Sequence, residues 1–221
     1  VPVRQDIIDR LYAGSDPFAG FPKNLFQTDS QGWNSQHEYL ATAIDIGRPK
    51  IVIEIGVWKG GSTMFMADRL RALQLDAVVI AVDTWLGSWD HWINPVTRQE
   101  LGFVNGYPNF YYKFLNNVRS ARLENYVVPL PLDSLNAYET LKHLQIYPDL
   151  VHIDAGHDYR AVKQDIDIWW PQITPGGFLI GDDYQPEVWP DVCRAFDEFA
   201  LEYGDGTVTN SGNKCVFRKV G

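Results

Sequence analysis

The sequence predicts an α/β domain: a mostly parallel sheet of seven strands, helices on both faces, and an antiparallel hairpin at the C-terminal end. Three observations carry this. Apolar runs at 51–57, 77–85, 127–132, 150–154 and 178–180 read as short strands buried on both faces. Helical spacing follows each of them, the alternation that builds a parallel sheet covered by helices. Two further strand-like runs, near 207–210 and 214–219, flank Ser211-Gly212-Asn213, a hairpin turn.

In chain order, residues 4–13 place Ile7, Ile8 and Leu11 on one side of a short helix, and 14–32 is a loop rich in Gly, Pro, Asp and Ser. Ser35 and Glu38 have capping-box spacing and open a helix carrying Tyr39, Leu40, Ala43 and Ile44, which Gly47 and Pro49 stop. The first strand follows, then a helix at 62–73 with Met66, Leu70 and Leu73 inward. The second strand leads to an aromatic loop and a helical stretch at 99–118, broken by Gly106 and Pro108. The third strand precedes a helix ending near His143, and the fourth precedes one from Tyr159 to Trp170. After the turn Pro175-Gly176-Gly177 and the fifth strand, a helix at 188–203 buries Val192, Phe196 and Phe199. Residues 1–48 read as a helical cap on one unit formed with 49–221.

The 221 residues suffice for a core without staples. A net charge of −9 disfavours nucleic acid and anionic membrane surfaces and tolerates a cation. Cys193 and Cys215 form no CxxC, and no apolar run approaches the ~18 residues of a membrane span. No signal peptide is legible, so a cytoplasmic location is expected. The chain starts at Val1 without Met, as a domain cut from something longer would.

The most informative stretch is Glu54-Ile55-Gly56-Val57-Trp58-Lys59-Gly60-Gly61-Ser62, between a strand and a helix, where open α/β sheets place ligands. A dinucleotide fingerprint needs glycine where Trp58 stands, and no Gly-Lys-Ser/Thr of a phosphate loop follows. The remaining pattern, an acid and then Gly-x-x-x-Gly, resembles the first motif of class I S-adenosylmethionine-dependent methyltransferases, whose Rossmann-like fold it implies. Backbone N–H groups around Gly56, Trp58, Gly60, Gly61 and Ser62 would bind that cofactor's carboxylate. Glu54 would support its ammonium or order the loop. Asp83-Thr84 ends the second strand, where an acid accepts ribose hydroxyls in NAD enzymes as well. Asp133-Ser134 ends the third, beside the adenine in the methyltransferase fold; Asp133 also suits a helix cap.

Asp154 ends the fourth strand and Asp182-Asp183 the fifth. Adjacent parallel strands bring these carboxylates to one mouth, and like charges that close favour a cation. An all-oxygen set suits Mg²⁺, with Mn²⁺ or Ca²⁺ open. His157, three residues past Asp154, is placed to accept a proton beside the metal. His152 lies on an apolar strand and reads as core.

Together, Gly56–Ser62, Asp83-Thr84-Trp85, Asp154/His157 and Asp182/Asp183 resemble metal-dependent sugar O-methyltransferases of macrolide and aminocoumarin biosynthesis, the macrocin O-methyltransferase type. The resemblance spans about residues 35–205 and implies Mg²⁺ on Asp154, Asp182 and Asp183, with His157 as base. The implied partner is a small-molecule or glycan acceptor with vicinal oxygens; a homo-oligomer is open. Trp85, Trp89, His91 and Trp92 read as a mobile loop above the cofactor that can pack on sugar rings. Three alternatives stand beside this: a catechol-type O-methyltransferase, a hydroxylase-like metal enzyme with His91 as the extra ligand, and a non-catalytic fold relative.

Overall fold

Both faces of the predicted strands are covered, as their unbroken hydrophobicity requires. The computed structural model describes residues 1–204 and 206–220. Its strands are β1 (Ile51–Ile55), β2 (Val78–Val82), β3 (Phe103–Val104), β4 (Tyr107–Pro108), β5 (Val127–Leu130), β6 (Leu150–Ile153), β7 (Phe178–Gly181), β8 (Thr209–Ser211) and β9 (Lys214–Arg218). Seven of them form one sheet in the order β5-β2-β1-β6-β7-β9-β8, with β3 and β4 a separate antiparallel ribbon. β5, β2, β1, β6 and β7 run parallel, while β9 pairs antiparallel with both β7 and β8. Chain direction across the sheet reverses between β1 and β6, so their carboxyl ends open a crevice.

The helices are α1 (Val3–Tyr12), α2 (Glu38–Gly47), α3 (Gly61–Ala72), α4 (Trp89–Ile93), α5 (Pro95–Glu100), α6 (Phe110–Ser120), α7 (Ser134–His143), α8 (Tyr159–Trp169) and α9 (Pro190–Tyr203). Alternate strand residues point to opposite faces. Ile53, Ile80 and Val151 pack with α7, α8, α9 and Ile7 and Ile8 of α1. Val52, Val79 and Ala81 pack with α3, α6 and Leu40, Ala43 and Ile44 of α2. The first 48 residues therefore divide between the two faces, one helix on each. No described helix is long and apolar enough to cross a membrane.

Three local expectations change. His37, not Ser35, caps α2: its Nδ1 accepts the Tyr39 N–H at 3.1 Å, leaving Nε2–H to donate to the Ser211 carbonyl at 2.9 Å. Glu38 instead accepts from the Ser211 hydroxyl, which ties the start of α2 to the terminal hairpin. The helix expected at 99–118 is divided by the β3–β4 ribbon, because Gly106 turns with φ +81° ahead of Pro108. The segment after β2 is not a loose aromatic loop. Trp85 is buried and donates its indole N–H to the Trp58 carbonyl, and residues 89–93 are helical. Trp89 and Trp92 remain exposed.

Candidate active site

The glycine loop takes its shape from close contact between two strand ends. Gly56 has φ +82°, and a Cβ there would stand 1.9 Å from the Asp154 carbonyl oxygen. Only glycine lets β1 and β6 turn out side by side. Trp58 also adopts a left-handed backbone, φ +52°, which faces two consecutive N–H groups toward Asp83. The Asp83 carboxylate accepts those of Val57 and Trp58 at 2.9 and 3.1 Å and that of Trp85 at 2.7 Å.

A cavity of about 650 Å³ opens over this loop. Its walls include Gly56, Trp58, Gly61 and Ser62 of the glycine loop together with Asp154, His157, Asp182 and Asp183. Nine of the candidate site residues, His91 among them, thus meet in one cavity. Glu54, Gly60, Asp83, Thr84, Asp133 and Ser134 do not line it. A Cβ on Gly60 would meet the Phe114 ring at 2.8 Å, so bulk there would push into the core and not into the cavity. Thr84 accepts the Leu86 N–H, and Asp83 serves the loop backbone where ribose was expected. Asp133 caps α7, accepting the Asn136 N–H at 3.0 Å. Ser134 donates to Asp165 and accepts the Trp169 indole N–H at 2.9 Å. Glu54 is fully buried, accepts from Thr63 and meets His152 Nδ1 at 2.9 Å, so it orders the start of α3.

The Ser134 contact carries a stability consequence. Burial pushes the Asp165 carboxyl up to about 6. The folded state therefore binds more protons than the unfolded chain from about pH 4 upward, and stability falls as pH rises through about 6. Asp165→Asn is expected to raise stability at pH 7.5 by about 2 kcal/mol and to lose that advantage near pH 4. Urea titrations at the two pH values check this; an equal effect at both would assign it to packing.

Beside the glycine loop, burial and the Asp182 carboxylate hold the Asp154 carboxyl well above the usual carboxylate range. Among the described residues no group hydrogen-bonds its oxygens. Asp182 accepts the Asp183 N–H at 2.8 Å and pairs with the fully buried Lys214. Asp183, with φ +57°, pairs with His157 Nε2 at 2.9 Å. That hydrogen bond raises the His157 pKa. Trp189 stacks on the His157 ring with centroids 4.0 Å apart.

Asp154, half-buried and with its carboxylate free of hydrogen bonds among the described residues, and Asp182 are a fit for a divalent cation, whereas Asp183 lines the same cavity but is engaged with His157. Ligand atoms of His152, Asp154 and Asp182 also lie within 4.8 Å of one another. His152 is nevertheless unsuited as a ligand, since Glu54 and Lys214 occupy its two ring nitrogens. The cavity fits the methionine end of the expected cofactor too: small residues line it at the α3 N-terminus, whose first N–H groups have no intrahelical acceptor.

Several wall residues escaped the sequence reading. Gly32, Trp33, Asn34 and Ser35 come from the loop before α2. That loop is held by Lys59, buried and paired with Asp29 and Glu100, and by the Asn117 amide on the Asp29 carbonyl. Asp90, Ile93, Asn94 and Thr97 come from the α4–α5 segment around the expected His91, and Gln185, Trp189 and Asn213 from the segments after β7 and before β9. An indole in a polar segment was the one usable signal, at Trp33 and, between Pro186 and Pro190, at Trp189.

Comparison with known proteins agrees with this geometry. A family described as a methyltransferase domain, Methyltransf_24, matches residues 53–184, from β1 through Asp183. The chain belongs to this methyltransferase family. Its fold is that of the O-methyltransferase NovP, with TM-score 0.65 and 19% identity over 99% of this chain and 98% of that one. It is also similar to CalS11, a TDP-rhamnose 3'-O-methyltransferase of calicheamicin biosynthesis (TM-score 0.57, 17% identity, 83% and 81% covered). A third is the O-methyltransferase TomG from Streptomyces achromogenes, solved with S-adenosylmethionine (TM-score 0.58, 12% identity, 98% and 96% covered). Among curated sequences, the uncharacterized protein y4gI of Sinorhizobium fredii is 26% identical over 140 residues, 62% of this chain. The uncharacterized protein R132 of Acanthamoeba polyphaga mimivirus is 30% identical over 59 residues, 26% of this chain. The chain spans only 13% and 27% of the length of those two relatives.

Proposed function

We propose that the protein transfers the methyl group of S-adenosylmethionine to a hydroxyl of a sugar acceptor, with Mg²⁺ or Mn²⁺ held by Asp154, Asp182 and Asp183 and His157 as the base. One observation carries this: the glycine loop and the Asp154–His157–Asp182–Asp183 group line a single cavity, with Gly56 packed against the Asp154 backbone. A cofactor on the glycine loop and a hydroxyl at the carboxylates would share that cavity and bring methyl and oxygen together.

The sulfonium already makes the methyl electrophilic, so the difficulty lies with the weakly acidic sugar hydroxyl. A divalent cation, when bound, supplies Lewis-acid stabilisation of the developing alkoxide. His157 takes the proton. In its neutral form Nε2–H donates to Asp183, and the Nδ1 lone pair is the basic site, an orientation of the kind a carboxylate imposes on a catalytic histidine. Trp189 on the ring face restricts its rotation.

The walls also favour an uncharged acceptor. The described lining includes the acids Asp90, Asp154, Asp182 and Asp183 and no Lys or Arg. A phosphate group would meet carboxylates with no side-chain cation of the lining opposite it, whereas the indoles of Trp33, Trp58 and Trp189 suit the apolar face of a neutral sugar.

The test is transfer of labelled methyl from S-adenosylmethionine to glycosides with vicinal hydroxyls, in Mg²⁺ and after exhaustive chelation. Label should enter the glycoside in Mg²⁺ and fall to background in EDTA. Labelling of a catechol with no glycoside labelled would remove the sugar assignment. Undiminished transfer in EDTA would remove the metal.

A further inference from the structure

The sequence places a lysine at the start of the terminal strand with nothing to mark it. Lys214 opens β9, and the antiparallel register Gly181↔Cys215 brings it beside Asp182 at the end of β7. Its side chain is fully buried, a position lysine rarely takes unless paired. The ammonium donates to Asp182 Oδ2 and lies 3.0 Å from His152 Nε2.

An ammonium can only donate, so His152 Nε2 is the acceptor and its proton sits on Nδ1. Nδ1–H then donates to Glu54 Oε1 at 2.9 Å, and Glu54 Oε2 accepts from the Thr63 hydroxyl. Lys214, Asp182, His152, Glu54 and Thr63 are thereby linked in one buried chain of hydrogen bonds from β9 to α3. The chain runs from the carboxylate wall of the cavity to the helix that follows the glycine loop. The ammonium thus stands directly against Asp182, whose carboxylate neighbours Asp154 at the same strand ends.

We propose that Lys214 is the resident counter-cation of the carboxylate cluster, a positioning residue that keeps Asp182 in place whether or not a divalent ion is bound. The inference rests on the pairing geometry and not on the metal assignment. Removing one partner of a buried pair strands the other charge, whereas removing both charges does not.

Thermal melts in EDTA and in Mg²⁺ test it on wild type, Lys214→Met and the double variant Asp182→Asn/Lys214→Met. In EDTA, Lys214→Met should melt roughly 10 °C below wild type. The double variant should regain at least half of that loss. Mg²⁺ should raise the melting temperature of Lys214→Met more than that of wild type. A single variant as stable as wild type, or a double variant as unstable as the single, would overturn the proposal. If the single variant does not fold, the double decides alone: folded supports the counter-cation, unfolded makes Lys214 a packing element. No Mg²⁺ shift in any variant would count against the metal assignment, while the EDTA series still decides the role of Lys214.

Discussion

His157→Ala is expected to slow methyl transfer to a glycoside by roughly two to four orders of magnitude, the usual worth of a positioned base. Affinity for S-adenosylmethionine should change little, because the imidazole is engaged with Asp183 and Trp189 and not with the glycine loop. The loss separates base from scaffold through the acceptor. A catechol hydroxyl is far more acidic than a sugar hydroxyl and needs less help, so a catechol's turnover should fall less. His157→Gln, which preserves much of the side chain stacked on Trp189, should be as slow as alanine. Turnover at the wild-type rate in either variant would make the ring structural and move the search for the base to Asp158, whose carboxylate in this structure caps α8 through the Arg160 and Ala161 N–H groups.

Gly56→Ala should be the most damaging one-carbon change in the molecule. The new Cβ would need the space of the Asp154 carbonyl oxygen, 1.9 Å away, in a backbone conformation that disfavours any side chain. Left-handed strain alone costs about 1–2 kcal/mol, and the overlap with rigid backbone adds to it, for a total of about 3 kcal/mol or more. Either the β1–β6 pairing opens or the glycine loop shifts. Both displace Asp154 from the cavity floor, so stability, cofactor binding and transfer should fall together. Denaturant titration alongside cofactor calorimetry checks this. A variant with wild-type stability and affinity would show that the close approach of the two strand ends is not required.

How much of this was legible in the sequence follows from the range of the interactions involved. Strands β1, β2, β5, β6 and β7 could be read because each is buried on both faces and so is apolar throughout. The meeting of Asp154 with Asp182 and Asp183 was legible because neighbouring parallel strands end on the same side. The capping of α2 was not. Ser35 has the right spacing, but it lies against Gly61 at the cavity wall, and His37 does the capping through a ring nitrogen. The partners of Asp83 were not legible either, since position at a strand end does not reveal which donors a carboxylate will find, and here the left-handed turn at Trp58 directs backbone N–H groups to it. His152 read as core and is buried, yet its partners Glu54 and Lys214 come from β1 and β9. Lys214 itself was beyond reach, since the antiparallel register of β9 on β7 is a tertiary fact with no local signature.

The claim on which the rest depends is that the glycine loop holds S-adenosylmethionine and not a dinucleotide. Titration calorimetry with S-adenosylhomocysteine, S-adenosylmethionine and NAD addresses it without any knowledge of the acceptor. Trp58 stands where a dinucleotide needs glycine, and the open cavity at Gly61 and Ser62 lies at a helix N-terminus suited to a carboxylate. The expected result is binding of both adenosyl compounds in the micromolar range, with no heat from NAD. Binding of NAD with no heat from either adenosyl compound would contradict the account.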